Sequence, residues 1–116
     1  MPTTEYPELT RFLQYLQFER RYSRHTYISY ENDLNQFFAY LASQYEEVGV
    51  ADITASMVRS WLAEMKEDDM TSKTINRKIS ALKSFFKFLL KQGVITKTPM
   101  TTIISPKLSK RLPVFV

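Results

Sequence analysis

Apolar residues recur at spacings of three and four in four separate stretches, and each stretch predicts an amphipathic helix. The first runs from about Pro7 to Arg20, with Leu9, Phe12, Leu13 and Leu16 on one side and Pro7 suited to the first helical position. The second runs from Arg24 to about Tyr45, and its stripe is Tyr27, Tyr30, Leu34, Phe37, Phe38, Leu41 and Tyr45. Ser23 stands where a cap belongs. Thr26, three residues on, makes only a partial capping box, because Glu or Gln is the usual partner there. The third helix begins at Ile53-Thr54 and reaches about Lys66, with Thr54 as cap and Ile53 and Val58 placed as a hydrophobic staple. Met57, Trp61 and Met65 repeat every four residues, with Val58 and Leu62 alongside. Glu67-Asp68-Asp69 marks its end, since carboxylates are disfavoured at a helix C-terminus. The fourth helix starts at Thr71-Ser72 and stops at Gly93, which suits the position just past the helix. Ile75, Ile79, Leu82, Phe86 and Leu89 form its buried stripe, flanked by Phe85 and Leu90.

Short connections between these segments predict an all-α, compact four-helix bundle whose helices cross at steep angles over residues 1–93. From Val94 onward the chain carries Pro99, Pro106 and Pro113. Thr101 to Ser105 is expected to make one helical turn, and the rest of 94–116 reads as an extended linker. The apolar, strand-like end Leu112-Pro113-Val114-Phe115-Val116 has no partner strand in the sequence, which suggests a cut ahead of a second domain.

Composition narrows the function more by exclusion than by signal. The 116 residues are 44% apolar and 14% aromatic, enough to bury a core and too much for intrinsic disorder. The absence of cysteine excludes disulfides and thiolate metal sites and fits a cytoplasmic location. Two glycines, Gly49 and Gly93, argue against a phosphate-cradling loop or a dinucleotide fold. No stretch approaches the roughly 18 apolar residues of a membrane span, and Met1 to Glu5 lack the basic and apolar regions of a signal peptide. The single histidine, His25, cannot make a metal site by itself. It is either a surface residue or a contact to DNA. No nucleophile elbow or pair of carboxylates on a pocket wall is present, and all seven tyrosines lie in the first 45 residues, three of them in the second helix's stripe. No catalytic residue is assigned, and no cofactor or metal is implied.

The charge is ordinary in sum, +4, and extreme in distribution. All twelve acidic residues fall at or before Asp69, with six basic ones; the following 47 residues hold ten cations and no carboxylate. Such a field attracts a polyanion. Winding the fourth helix at about 100° per residue gathers Lys73, Asn76, Arg77, Ser80, Lys83, Ser84, Lys87 and Lys91 into one arc opposite the apolar stripe. The lysines suit phosphates, Ser80 and Ser84 allow close approach to a groove, and Asn76 and Arg77 suit bidentate contacts to adenine and guanine. On the second helix Arg24, His25, Ser29, Asn32 and Gln36 form another polar arc, with Ile28 exposed beside it. A membrane-surface helix would show exposed aromatics beside its lysines, and an RNA-binding sheet is missing. A helix in the major groove of double-stranded DNA is the best physical match.

These residues resemble a known family. Ser23, Thr26, Tyr30, Asp33, Leu34, Phe37 and Leu41 resemble the second-helix signature of the N-terminal core-binding domain of tyrosine site-specific recombinases, the Xer and phage-integrase type being closest. The run Asn76-Arg77-Lys78-Ile79-Ser80-Ala81-Leu82-Lys83-Ser84-Phe85-Phe86-Lys87-Phe88-Leu89 is similar to the family's fourth helix. Thr98-Pro99, Pro106-Lys107 and Leu112-Pro113 are similar to its linker into the catalytic domain. The chain departs at Arg21-Tyr22, where a small residue or glycine is common, and at Thr98, where asparagine is common.

The resemblance implies a SAM-like orthogonal bundle that forms half of a C-shaped clamp on a recombination half-site, with the second and fourth helices in or beside the major groove. It implies two subunits on inverted half-sites and four in a synapse, while the isolated domain can be monomeric. It places strand exchange, through a 3′-phosphotyrosyl intermediate and without cofactor, in a C-terminal catalytic domain absent here. The piece alone is then expected to bind DNA weakly and not to cleave it. Whether the parent resolves chromosome dimers in chromosome partition or integrates mobile DNA stays open, with the compact N-terminus favouring the Xer type. Two other readings also stay open: a stand-alone helical transcriptional regulator, and a protein-interaction bundle whose basic face meets an acidic partner.

Overall fold

The helix boundaries follow from local chemistry. The computed structural model describes residues 6–45 and 48–103. Helix α1 spans Pro7–Gln14 with Pro7 in its first turn, and it continues without interruption into a π-helical turn, Tyr15–Glu19. Helix α2 spans Arg24–Gln44, α3 spans Ala55–Glu67 and α4 spans Ser72–Lys91, with a short 3-10 turn at Val50–Asp52 before α3. Ser23, Thr54 and Thr71 each accept a hydrogen bond from the backbone N–H three residues on, satisfying one of the donors left open at a helix start. Ser23 and Thr26 also bond through their hydroxyls at 3.0 Å, which ties the two side chains together without closing the reciprocal half of a capping box. Among the described residues there is no strand.

Three left-handed residues turn the chain at the other helix ends. Gly93 has φ +75°, and the N–H groups of Gly93 and Val94 bond back to the carbonyls of Leu90 and Leu89. Asp69 does the same for α3 at φ +63°, with Asp69 and Met70 bonded to Lys66 and Met65. The third is Arg21, at φ +53°, just before α2. A left-handed backbone costs a side chain energy that glycine avoids. At Arg21 that cost falls on an arginine side chain.

The four stripes meet in one core. Phe12, Leu16, Leu34, Phe37, Leu41, Val58, Trp61, Ile75, Ile79, Leu82, Phe85, Phe86 and Leu89 are buried. Helix α2 packs against α4, and α1 and α3 each contact both of them. Phe12 joins three of the four helices, with ring centroids 6.0 Å from Tyr30, 5.5 Å from Phe85 and 5.4 Å from Phe88. The first and last of these rings lie in α2 and α4 respectively, and edge-on and tilted packing of this kind adds to plain burial. Tyr6 stacks on Phe38 and donates its hydroxyl to Val48 O at 2.8 Å. Burial, with Glu8 adding to it, pushes the Tyr6 hydroxyl above its ordinary pKa, so it stays a donor into alkaline solution.

Several expectations need amendment. Leu90 lies at the rim and is partly exposed, while Lys78 and Phe88 are buried in its place. Tyr27, Tyr30 and Tyr45 are half-buried around the core, and Ile28 is half-buried rather than exposed. The segment from Val94 does not extend away from the bundle over its first part: Ile95, Met100 and Ile103 are buried in the same core. A turn forms at 99–102, closed by Ile103 N–H on Met100 O and tied to α3 by Arg59 Nη1 donating to Thr102 Oγ1 at 3.3 Å, and the helical turn expected over Thr101 to Ser105 runs past the described residues. The apolar side chains of this stretch explain the difference, because burying them outweighs the freedom of a linker. Ser105, Pro106, Lys107 and the Leu112–Val116 end lie outside the described residues.

Truncating Phe12 to alanine is expected to lower stability by about 3–5 kcal/mol, through lost burial and an unfilled cavity between α1, α2 and α4. Leu90→Ala should cost only about 1 kcal/mol, because that side chain is already partly in water. Urea unfolding of the two variants beside the parent measures both.

Candidate nucleic-acid interface

The packing of α2 on α4 decides where their polar residues go. With the stripes facing inward, Lys73, Arg77, Ser80, Lys83, Lys87 and Lys91 are exposed along α4, and Asn76 and Ser84 are half-buried at the edges of the same face. On α2, Arg24, His25, Asn32 and Gln36 are exposed and Ser29 is half-buried. No acidic side chain among the described residues pairs with Lys73, Lys83, Lys87 or Lys91. Glu19 lines a shallow cleft with Lys91, so the positive charge is least offset at Lys73, Lys83 and Lys87.

The two arcs adjoin. A cleft of about 330 Å³ between the N-terminal halves of α2 and α4 is lined by His25, Ser29, Tyr30, Asp33, Arg77 and Ser80, so it brings together four residues proposed separately from the two helix faces. A second cleft, about 260 Å³, lies toward the other end of α4 and is lined by Ser84, Lys87 and Lys91 together with Arg20 and Tyr22. Arg24, Asn32, Gln36, Lys73, Asn76 and Lys83 line neither cleft. Gln36 is also committed within the protein, because its side-chain oxygen accepts a hydrogen bond from Lys78 Nζ.

Three residues of this region escape a reading of helix faces. Asp33 and Lys78 are the charged side chains buried among the described residues, each 2% exposed. Lys78 Nζ donates to Asp33 Oδ1 at 2.8 Å, and Arg77 donates to the same carboxylate through Nε at 3.2 Å and Nη2 at 3.0 Å. The acid-free half of the chain thus does carry a counter-charge, supplied by α2. The third residue is Arg20, in the loop ahead of α2. It donates to the Tyr22 hydroxyl at 3.1 Å and sits 5.2 Å from that ring's centre. Hydrogen bonding to Tyr15, then the nearby Tyr22, raise its already high pKa, so it adds a fixed cation beside Lys87 and Lys91. Residues distant in sequence meet here only through the tertiary fold, which is why periodicity along one helix gives no sign of them.

Among the described residues no three His, Asp or Glu side chains cluster as a metal site would require, and no helix is long and apolar enough to cross a membrane. The run Glu67-Asp68-Asp69 is exposed at the end of α3.

Comparison with known proteins identifies the family. The model of the phage integrase N-terminal SAM-like domain family matches residues 9–93. The chain belongs to that family. Among curated relatives, it is 44% identical over 109 residues to a protein of Listeria innocua named tyrosine recombinase XerC, covering 90% of this chain and 35% of the relative. Proteins of the same name from Bacillus licheniformis and Bacillus subtilis are 40% and 36% identical, covering 93% and 90% of this chain and 35% and 34% of their own lengths. The chain spans about a third of the length of the relatives it matches. No solved structure matches. The all-helical fold and the resemblance noted in the second and fourth helices are those of an integrase N-terminal domain of the Xer type.

The buried pair predicts an asymmetry in stability. Asp33→Ala leaves the Lys78 ammonium buried without its carboxylate and should cost about 3–5 kcal/mol, the usual penalty for breaking a buried ion pair. Lys78→Met should cost less than half of that, because Arg77 still compensates Asp33. Urea midpoints of the two variants test this, and equal losses would contradict it.

Proposed function

We propose that this chain is the DNA-gripping N-terminal domain of a tyrosine site-specific recombinase of the Xer type. The single observation that carries the reading is the juxtaposition of two polar faces, from α2 and α4, around a cleft lined by His25, Ser29, Arg77 and Ser80, with exposed lysines running on along α4. A face of that width and sign suits a duplex: phosphates meet the lysines, and the edges of bases meet the shorter polar side chains and Arg77. Relatives named tyrosine recombinase support the assignment of the parent activity.

In this reading the domain closes one side of the recombination half-site in the major groove, and a C-terminal catalytic domain closes the other. Subunits on inverted half-sites assemble in fours for strand exchange through a 3′-phosphotyrosyl intermediate. The chemistry belongs to the catalytic domain, and this domain alone binds duplex DNA weakly without cutting it. The location is cytoplasmic, where chromosomal DNA is reached. Of the DNA-facing residues, Lys73, Lys83, Lys87 and Lys91 meet phosphates, with Arg20 added to the set. Arg24, His25, Ser29, Asn32, Asn76, Ser80 and Ser84 line the groove-facing surface. Gln36 steadies Lys78 as well as facing outward.

Titration of a labelled duplex at several salt concentrations tests the proposal. Affinity should fall steeply with salt. Lys83→Ala with Lys87→Ala should weaken every duplex alike and lower the salt slope by about one for each phosphate that is no longer neutralised. Binding indifferent to salt, or absent at low salt alongside capture of an acidic protein, would favour a protein-interaction bundle instead.

A further inference from the structure

The proposed role of the surface leaves Asp33 unexplained. A carboxylate buried beside a DNA-binding face repels phosphate, and its burial costs energy that an apolar residue would not. The geometry of its bonds gives it a use. A guanidinium has five N–H groups arranged along two forked edges. Asp33 takes one edge of Arg77, formed by Nε and one proton of Nη2. The opposite edge, formed by Nη1 and the outer proton of Nη2, is left for another partner. The Arg77 side chain is 54% exposed and lines the cleft, while the carboxylate holding it is 3% exposed, so the arginine is anchored from the protein side and still open to a partner.

Lys78 makes the anchor stiff. Its ammonium bonds the same Oδ1 and the side chain of Gln36, so the carboxylate is held from behind before Arg77 reaches it. Holding a long side chain in one orientation before binding removes an entropy cost that binding otherwise carries. Two parallel N–H groups in a fixed plane match a pair of adjacent acceptors, and in a major groove the guanine O6 and N7 offer such a pair. The net charge of the cluster, two cations on one carboxylate, stays positive, so DNA is still attracted.

From this, and resting on the DNA-binding reading above, we infer that Asp33 is a positioning residue for sequence recognition: it aims the outer edge of Arg77 at a guanine in the major groove. The residue acts through Arg77 and touches no DNA itself. It also moderates the attraction of the surface for DNA of any sequence, because its negative charge offsets one of the two cations beside it.

The test uses the 116-residue chain and a duplex selected by that chain from a random-sequence library, compared with a scrambled duplex of the same composition. Asp33→Asn keeps size and one acceptor oxygen. It should reduce the preference for the selected duplex about tenfold, the scale of one bidentate base contact, while affinity for the scrambled duplex holds or rises. The double variant Asp33→Asn with Lys78→Met leaves the net charge unchanged and buries no unpartnered ammonium; it should show the same loss and keeps the test valid if Asp33→Asn unfolds. Arg77→Lys, which keeps the charge and removes the fork, should lose the preference by a similar factor. Adding Asp33→Asn to Arg77→Lys should then cost no further preference, which a merely structural Asp33 would not produce. Full preference in a folded Asp33→Asn variant, or additive losses when Asp33→Asn is combined with Arg77→Lys, would overturn the inference. So would an Arg77→Lys variant that weakens selected and scrambled duplexes equally, since Arg77 would then hold phosphate. A parent chain that binds duplex in a salt-dependent way but selects no sequence would end the inference and leave the DNA-binding function standing.

Discussion

The structure depends on one join, where the Asp33 carboxylate of α2 receives Lys78 and Arg77 of α4. Apolar burial brings the two helices together, but burial alone is not directional. A carboxylate with three charge-assisted bonds is directional, and it fixes how the helices are rotated relative to each other. That rotation matters because each helix carries a polar arc on its outer side. With the join in place, His25 and Ser29 line the same cleft as Arg77 and Ser80. Without it, two amphipathic helices could share a core and still point their polar faces apart.

The same join resolves an electrostatic tension. A chain with ten cations and no acid after Asp69 would repel itself wherever those cations crowd. The fold answers by burying Lys78 on a borrowed carboxylate and placing Lys73, Lys83, Lys87 and Lys91 on the exposed side of α4. What remains outside is a field of one sign on one face, backed by a packed aromatic core in which Phe12 ties α1 to α2 and α4. Packing and exposed positive charge thereby occupy opposite sides of the same helix.

Much of this was legible in the sequence because it is local. Ser23, Thr54, Thr71 and Gly93 act where their positions predict, since caps depend on a few neighbouring bonds. The apolar stripes of α2 and α4 likewise follow from periodicity, and so does the exposure of Lys73, Lys83, Lys87 and Lys91. The rest is tertiary. Lys78 falls on the inner side of α4, and no spacing along that helix reveals that Asp33, 45 residues earlier, waits for it. Arg20 reaches the basic face through the chain reversal at Arg21, whose left-handed backbone is unusual for arginine. Ile95, Met100 and Ile103 were hidden among prolines and threonines that read as linker, although their own apolar surface draws them into the core. Asp33 was visible only as part of a family resemblance, with its work unstated.

The central claim is that α2 and α4 present a single DNA-facing surface fixed by their buried join. Amide chemical-shift mapping of the isotope-labelled chain during titration with a duplex at low salt tests it most directly. The account predicts that the largest changes fall together on Arg24 to Gln36 of α2 and Lys73 to Lys91 of α4, with the exposed side of α3 left unchanged. Changes confined to one of the two helices, or centred on α3, would contradict it.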